Sequence, residues 1–131
     1  MAGFKSTYTS NWVLNQIYNQ GALGPTLYFA GMTVAPTAAG GGTEWADAGI
    51  TRCAKASNTT NFPTVTSAIV SNATTHAYGT PVAGATLVGI AVFSASSGGN
   101  FIDYWEFDTP LVVLAGVAFI LPIGSAQGTE A

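Results

Sequence analysis

The side chains in this sequence with the most chemistry to offer are Cys53, His76 and the carboxylates Asp103, Glu106 and Asp108. A cysteine beside an imidazole makes a nucleophile and its base, two converging carboxylates make a general acid and base, and a cluster of such groups holds a metal. Spacing assembles none of these here. His76 lies in the polar run "NATTHAYG" with no second histidine in the chain, which predicts a turn or surface residue rather than a ligand. Cys53 is flanked by Arg52 and Lys55, which would favour a thiolate, but it is far from His76 in sequence and reads as a small buried residue. Asp103 and Glu106 fall on opposite faces of one alternating segment, so they do not converge without help from Asp108 or another element. The run "AAGGGTE" lacks the Lys-Ser/Thr of a phosphate loop, and the sequons at Asn58 and Asn72 are frequent by chance in an Asn/Thr-rich chain. The expectation is a protein that is not an enzyme, with no catalytic residue, no metal and no cofactor.

The elements around these residues read as a single domain over 1–131, with an N-terminal arm and short helix in 1–24 and a β-sandwich in 25–131. In "TSNWVLNQIYNQG", Ser10 is the predicted N-cap, Val13, Leu14, Ile17 and Tyr18 recur at helical spacing, and Gly21 stops the helix. "TLYFAGMTV" after Pro25 reads as a strand, followed by a flexible loop over Ala38 to Gly42. "ITRCAK" and "SAIVSNATTHAYGTP" are weaker strand candidates, the latter a short edge strand, and "NTTNFPTVTS" is polar and broken by Pro63. "ATLVGIAVFSA" is apolar on both faces, as a central strand covered on each side would be, and Ser96 to Gly99 form a turn. In "NFIDYWEF", Phe101, Asp103, Trp105 and Phe107 share one face while Ile102, Tyr104 and Glu106 share the other. Aromatic rings on both faces suggest two packing partners, and Tyr104 and Trp105 become candidate interface residues.

Between Asp108 and Glu130 the chain carries no charge. Its uninterrupted apolar part, Leu111 to Ile123, is about 13 residues long and closed by Pro122, whereas a spanning helix needs about 20. The stretch predicts a β-hairpin instead, Leu111 to Leu114 turning at Ala115-Gly116 into Val117 to Leu121, with Phe119 in the core and an apolar tip at Leu114 and Val117.

Composition sharpens this picture. Only 7% of residues are charged, the net charge is -3, and 48% are hydrophobic, where an average soluble chain carries about 25% charge. A surface so poor in charge suits a protein packed against copies of itself, such as a trimer, or against a partner. The cations Lys5, Arg52 and Lys55 are too few and too scattered to neutralise a phosphate backbone, which argues against direct nucleic-acid binding. One cysteine cannot form a disulfide within the chain, and no apolar run of signal-peptide type follows Lys5.

The ordered set "PTLYFAG", "APTAAGGGTE", "TRCAKASNTTNFP", "VGIAVFSASSGGNFIDYW" and "DTP" resembles a family of small bacteriophage virion proteins commonly labelled tail-fibre-like. The most specific part is the ending, with Gly89, Ile90 and Phe93, the turn Ser97 to Asn100, then Tyr104, Trp105, Thr109 and Pro110. The resemblance implies a non-enzymatic, β-sandwich component of the virion, and Met1 fits synthesis in the host cytoplasm. The apolar Leu111, Leu114 and Val117 depart from the polar hairpin that the family pattern leads one to expect. Taken together, these features lead to an all-β, jelly-roll-like sandwich with one helix, acting as a capsid decoration or cement protein. Its expected contacts are Tyr104, Trp105, Leu114 and Val117, and its expected partners are itself and the major capsid protein or another virion protein. The alternative is a tail or head fibre-associated protein that recognises the host surface.

Overall fold

A computed structural model describes residues 6–124 and 127–129. Residues 1–5 of the expected N-terminal arm lie outside the described residues. The protein is all-β with one short helix, and its sheets are antiparallel. In chain order the elements are α1 (Thr7–Tyr18), β1 (Thr26–Val34), β2 (Thr43–Glu44), β3 (Cys53–Ala56), β4 (Ile69–Ser71), β5 (His76–Gly79), β6 (Ala85–Phe93), β7 (Phe101–Val113), β8 (Phe119–Leu121) and β9 (Gln127–Thr129).

One layer is a five-stranded sheet in the order β2-β1-β6-β7, with β3 pairing the other end of β1's outer edge. β6 is central, as its apolar sequence predicts, and Gly89 to Val92 are buried on both of its faces. Facing this sheet are two short ladders, β4-β9 and β5-β8, together with α1. The layers meet through rings. Phe29 of β1 lies 4.6 Å from His76 of β5 and 5.3 Å from Trp105 of β7, while Tyr18 of α1 lies 5.4 Å from Trp105 and 5.3 Å from Phe62. Burying such large apolar faces supplies most of what orders the chain.

The helix starts one turn earlier than its sequence suggests. Ser6, not Ser10, is the N-cap, its hydroxyl accepting the Thr9 N–H at 3.2 Å, and Ser10 lies buried inside the helix. Either serine can cap, but a start at Ser10 would leave only two turns, and the earlier start completes the turn that seats Ser10 beside Leu14 and Tyr18. Asn15 then anchors the polar segment before β4, accepting the Val65 N–H at 2.8 Å, and Asn19 donates to the Phe62 carbonyl at 3.4 Å, so Phe62 and Val65 are buried in a stretch whose sequence is polar and broken by Pro63.

The predicted C-terminal hairpin does not form. A turn is present at Leu114 to Val117, but β8 pairs with β5 in the facing layer and not with β7. A two-residue hairpin of the favoured type needs a left-handed backbone at both central positions, and here only Gly116 has it, at φ 76°. The Gly116 N–H instead bonds to the Pro81 carbonyl at 2.8 Å, tying the turn to the loop before β6 and sending the chain across to the other layer. No helix among the described residues is long and apolar enough to cross a membrane.

This packing reverses the expectation for two rings, since Trp105, a candidate for the surface, is buried, while Phe119, expected in the core, is only half-buried. Trp105 is 1% exposed, so Trp105→Ala is expected to cost about 3–5 kcal/mol, read as a shift in the urea midpoint. Phe119 is only half-buried, so Phe119→Ala should cost about 1–2 kcal/mol. Equal losses at the two positions would contradict the layer assignment.

Candidate functional site

The groups that read as chemically capable are distributed very differently from one another. His76 is not at a turn or on the surface. It is 0% exposed on β5, its ring against Phe29, and neither ring nitrogen has a hydrogen-bond partner. The signal was the alternation His76-Ala77-Tyr78, which turns the two rings inward, and it was masked by the polar residues before it. Burial, with the Lys55 charge second, lowers the His76 pKa to about 4.

Cys53 pairs across from Phe29 in the β1-β3 ladder, so strand pairing brings cysteine and histidine to the same phenyl ring. Their electrostatics oppose a nucleophilic pair. Burial pushes the Cys53 thiol up against the pull of Lys55, and it pushes the imidazole down, so both groups are held neutral. Among the described residues no three His, Cys, Asp or Glu side chains gather closely enough to hold a metal ion.

The carboxylates serve as struts. Asp103 accepts the Tyr18 hydroxyl at 2.7 Å, and Tyr18 in turn accepts the Trp105 indole N–H at 3.0 Å, linking β7 to the helix. Asp47 accepts N–H bonds from Gly49, Val82 and Ala83 at 2.8, 2.9 and 3.0 Å, and these bonds hold its carboxyl below the usual range. Glu44 receives Arg52 in a two-pronged pair at 3.0 and 2.7 Å. The same guanidinium donates to the Ala95 and Gly98 carbonyls at 2.7 and 2.8 Å and stacks 4.0 Å over Phe93, clamping the β6-β7 turn. The sequence presents Arg52 as a neighbour of Cys53 and a scattered cation, and the spacing Glu44 to Arg52 gives no hint of the clamp. Glu106 and Asp108 are exposed.

The four candidate interface residues divide. Trp105 belongs to the core and offers no surface to a partner, because its face of β7 is the one that meets α1 and Phe29. Tyr104 is half-buried on the opposite face, lying over Gly89, where an added Cβ would stand 2.5 Å from its hydroxyl. Leu114 and Val117 are 61% and 56% exposed. They do not stand alone. The Gly116 to Pro81 bond sets them beside Val82, and Val112 precedes them on β7, these two being 70% and 71% exposed. Asp47, through Val82 and Ala83, fixes the loop that completes this apolar end. A second feature is a groove of about 1000 Å³ between β7 and the segment running through β8, bordered by residues 104–109 and 119–122.

Residues 5–129 match the family described as podophage GP4 fiber I protein gp80. The chain belongs to this family. It is thus a structural protein of the bacteriophage virion, related to a fibre component, as its ordered motifs suggest. No curated protein matches the chain.

The buried imidazole makes stability depend on pH with a definite sign. Its folded pKa lies below the unfolded value of 6.5, so its contribution is complete above pH 6.5, declines as pH falls, and is gone below about 4. The total is about 3 kcal/mol. Urea melts between pH 7 and 4 should show His76→Phe losing less stability than wild type, since carboxylate titration is common to both. Parallel pH profiles would contradict this role.

Proposed function

We propose that this protein is a non-enzymatic building block of a phage fibre assembly, which associates with copies of itself and with a neighbouring virion protein through its apolar end. The observation that carries the reading is the group Val82, Val112, Leu114 and Val117, each more than half exposed, on a chain that is only 7% charged. Contiguous apolar surface of this kind is a liability on a free protein and is stabilising once a partner covers it. Membership in a fibre-protein family supports placing the partner in the virion. A closed homo-oligomer such as a trimer would cover the end symmetrically, with Tyr104 available on the flank of the sheet.

Capsid decoration is the second reading, favoured by the same apolar end, which would equally seat on a shell. Many copies of a small domain bridging capsid seams would stabilise a shell by mass action. Abundance separates the two. Quantitative mass spectrometry of purified particles should find a number of copies that matches the fibres, and hundreds per particle would favour decoration.

The interface itself is tested by charge. Leu114→Asp and Val117→Asp place a carboxylate where water tolerates it and a desolvated contact does not. Both variants should melt cooperatively near wild type while self-association, followed by native mass spectrometry, weakens at least tenfold. Unchanged association would sink the assignment of this end.

A further inference from the structure

The open edge of β7 carries the next step. β7 is the last strand of its sheet and, among the described residues, pairs only with β6; β8 pairs only with β5. The groove of about 1000 Å³ lies between them. Its border is unusual in one respect. Along a strand, alternate residues point to opposite faces, so a groove lying on a sheet face is lined by every second residue. Here consecutive residues line it, 104 through 109 with Leu111 on one side and 119 through 122 with Gly124 and Gln127 on the other, so the edge of β7 faces β8, the turn after it and the start of β9.

The β7 edge is also shaped. Leu87 pairs with Leu111 and Gly89 with Glu106, so Phe107, Asp108, Thr109 and Pro110 bulge out opposite Val88 alone. Pro110, which has no N–H to donate, is tolerated within this bulge. A bulge, a proline and charge blunt an edge against indiscriminate pairing, so a strand added here must match the carboxylates and the regular stretch before the bulge. Glu106 and Asp108 stand in the groove, exposed, and neither forms an ion pair among the described residues.

We propose that this groove accepts an extended, lysine- or arginine-bearing polypeptide segment of another virion protein as an added strand between β7 and β8. The backbone of the guest would bond to the free edges, its apolar side chains would meet Phe107 and Phe119, and its cation would face Glu106 and Asp108. The regular part of the border, 104 to 106 before the bulge, corresponds to about 10 Å of extended chain. Charge argues against the described strands of a second copy as the guest. Two copies of β7 edge to edge would set carboxylates against carboxylates. Of the chain's own cations on described strands and loops, Arg52 is engaged by Glu44 and two carbonyls, and Lys55 lies on β3, already paired to β1. A second copy therefore offers no free basic strand among its described residues. The inference rests on the reading of the chain as a virion subunit, but its test uses the isolated protein.

Overlapping twelve-residue peptides covering the other virion proteins of the same phage, and this chain itself, are arrayed and probed with the full-length protein. The expected result is binding to basic peptides of another virion protein, with hydrogen-exchange protection at 105–111 and 119–121. Glu106→Lys combined with Asp108→Lys should weaken it at least tenfold, and N-methylation of alternate peptide amides should abolish it, since side-chain contacts alone survive that change. Binding that tolerates either change, capture of this chain's own peptides in preference, protection elsewhere, or no bound peptide at all would overturn the proposal. So would occupancy by saccharides on a glycan array that is lost on Glu106→Lys. Fibre attachment that is weakened only by the Leu114 and Val117 changes would leave the proposed function standing and this groove without its role.

Discussion

The indole of Trp105 is where the separate parts of this fold are joined. Its ring meets Phe29 of the sheet, Tyr18 of the helix and Phe62 of the long polar segment, and its N–H begins the chain through Tyr18 to Asp103. Gly128 of β9 packs so closely on the ring that no side chain fits there. A single buried aromatic thus fixes the positions of α1, β7 and β9 relative to one another. β7 is held by its inner face, and among the described residues its outer edge pairs with no other strand.

Charge follows the same economy. Arg52, Glu44, Asp47 and Asp103 each hold a backbone turn, a loop or a hydroxyl in place, and three of these four sites involve hydrogen bonds to main-chain groups. Charges used as struts contribute little to keeping molecules apart. The exterior that results is uncharged at the Leu114 end and acidic along the β7 edge, two surfaces of different chemistry on one small domain. In a virion subunit they would allow two different contacts to be made without competition, an apolar one between subunits and a polar, directional one along a strand edge.

How far the sequence reveals this depends on the range of the interaction. Most local signals were reliable: β1 follows Pro25, the doubly apolar run is the central β6, and alternation in 101–107 separates the Trp105 and Tyr104 faces, although the helix cap lies one turn early at Ser6. Partner choice was not local. Ala115-Gly116 marks a turn, but whether β8 returns along β7 or crosses to β5 is decided by the inward-facing Tyr78 and Leu121 and by the Pro81 carbonyl, all distant in sequence. His76 was misplaced because the polar residues before it mask the alternation that turns its ring toward Phe29. Of the candidate surface, Leu114 and Val117 were legible because nothing polar surrounds them, whereas Val82 joins them only through the fold. The edge groove leaves no trace in a linear pattern.

On the proposed function, the Leu114 end becomes an interface in the particle. A cryo-EM reconstruction of the intact virion, with this chain fitted into its density, tests it most directly. The account predicts density attached as part of a fibre, with Val82, Val112, Leu114 and Val117 covered by a neighbouring chain. Well-ordered density in which those four side chains face open solvent would contradict it.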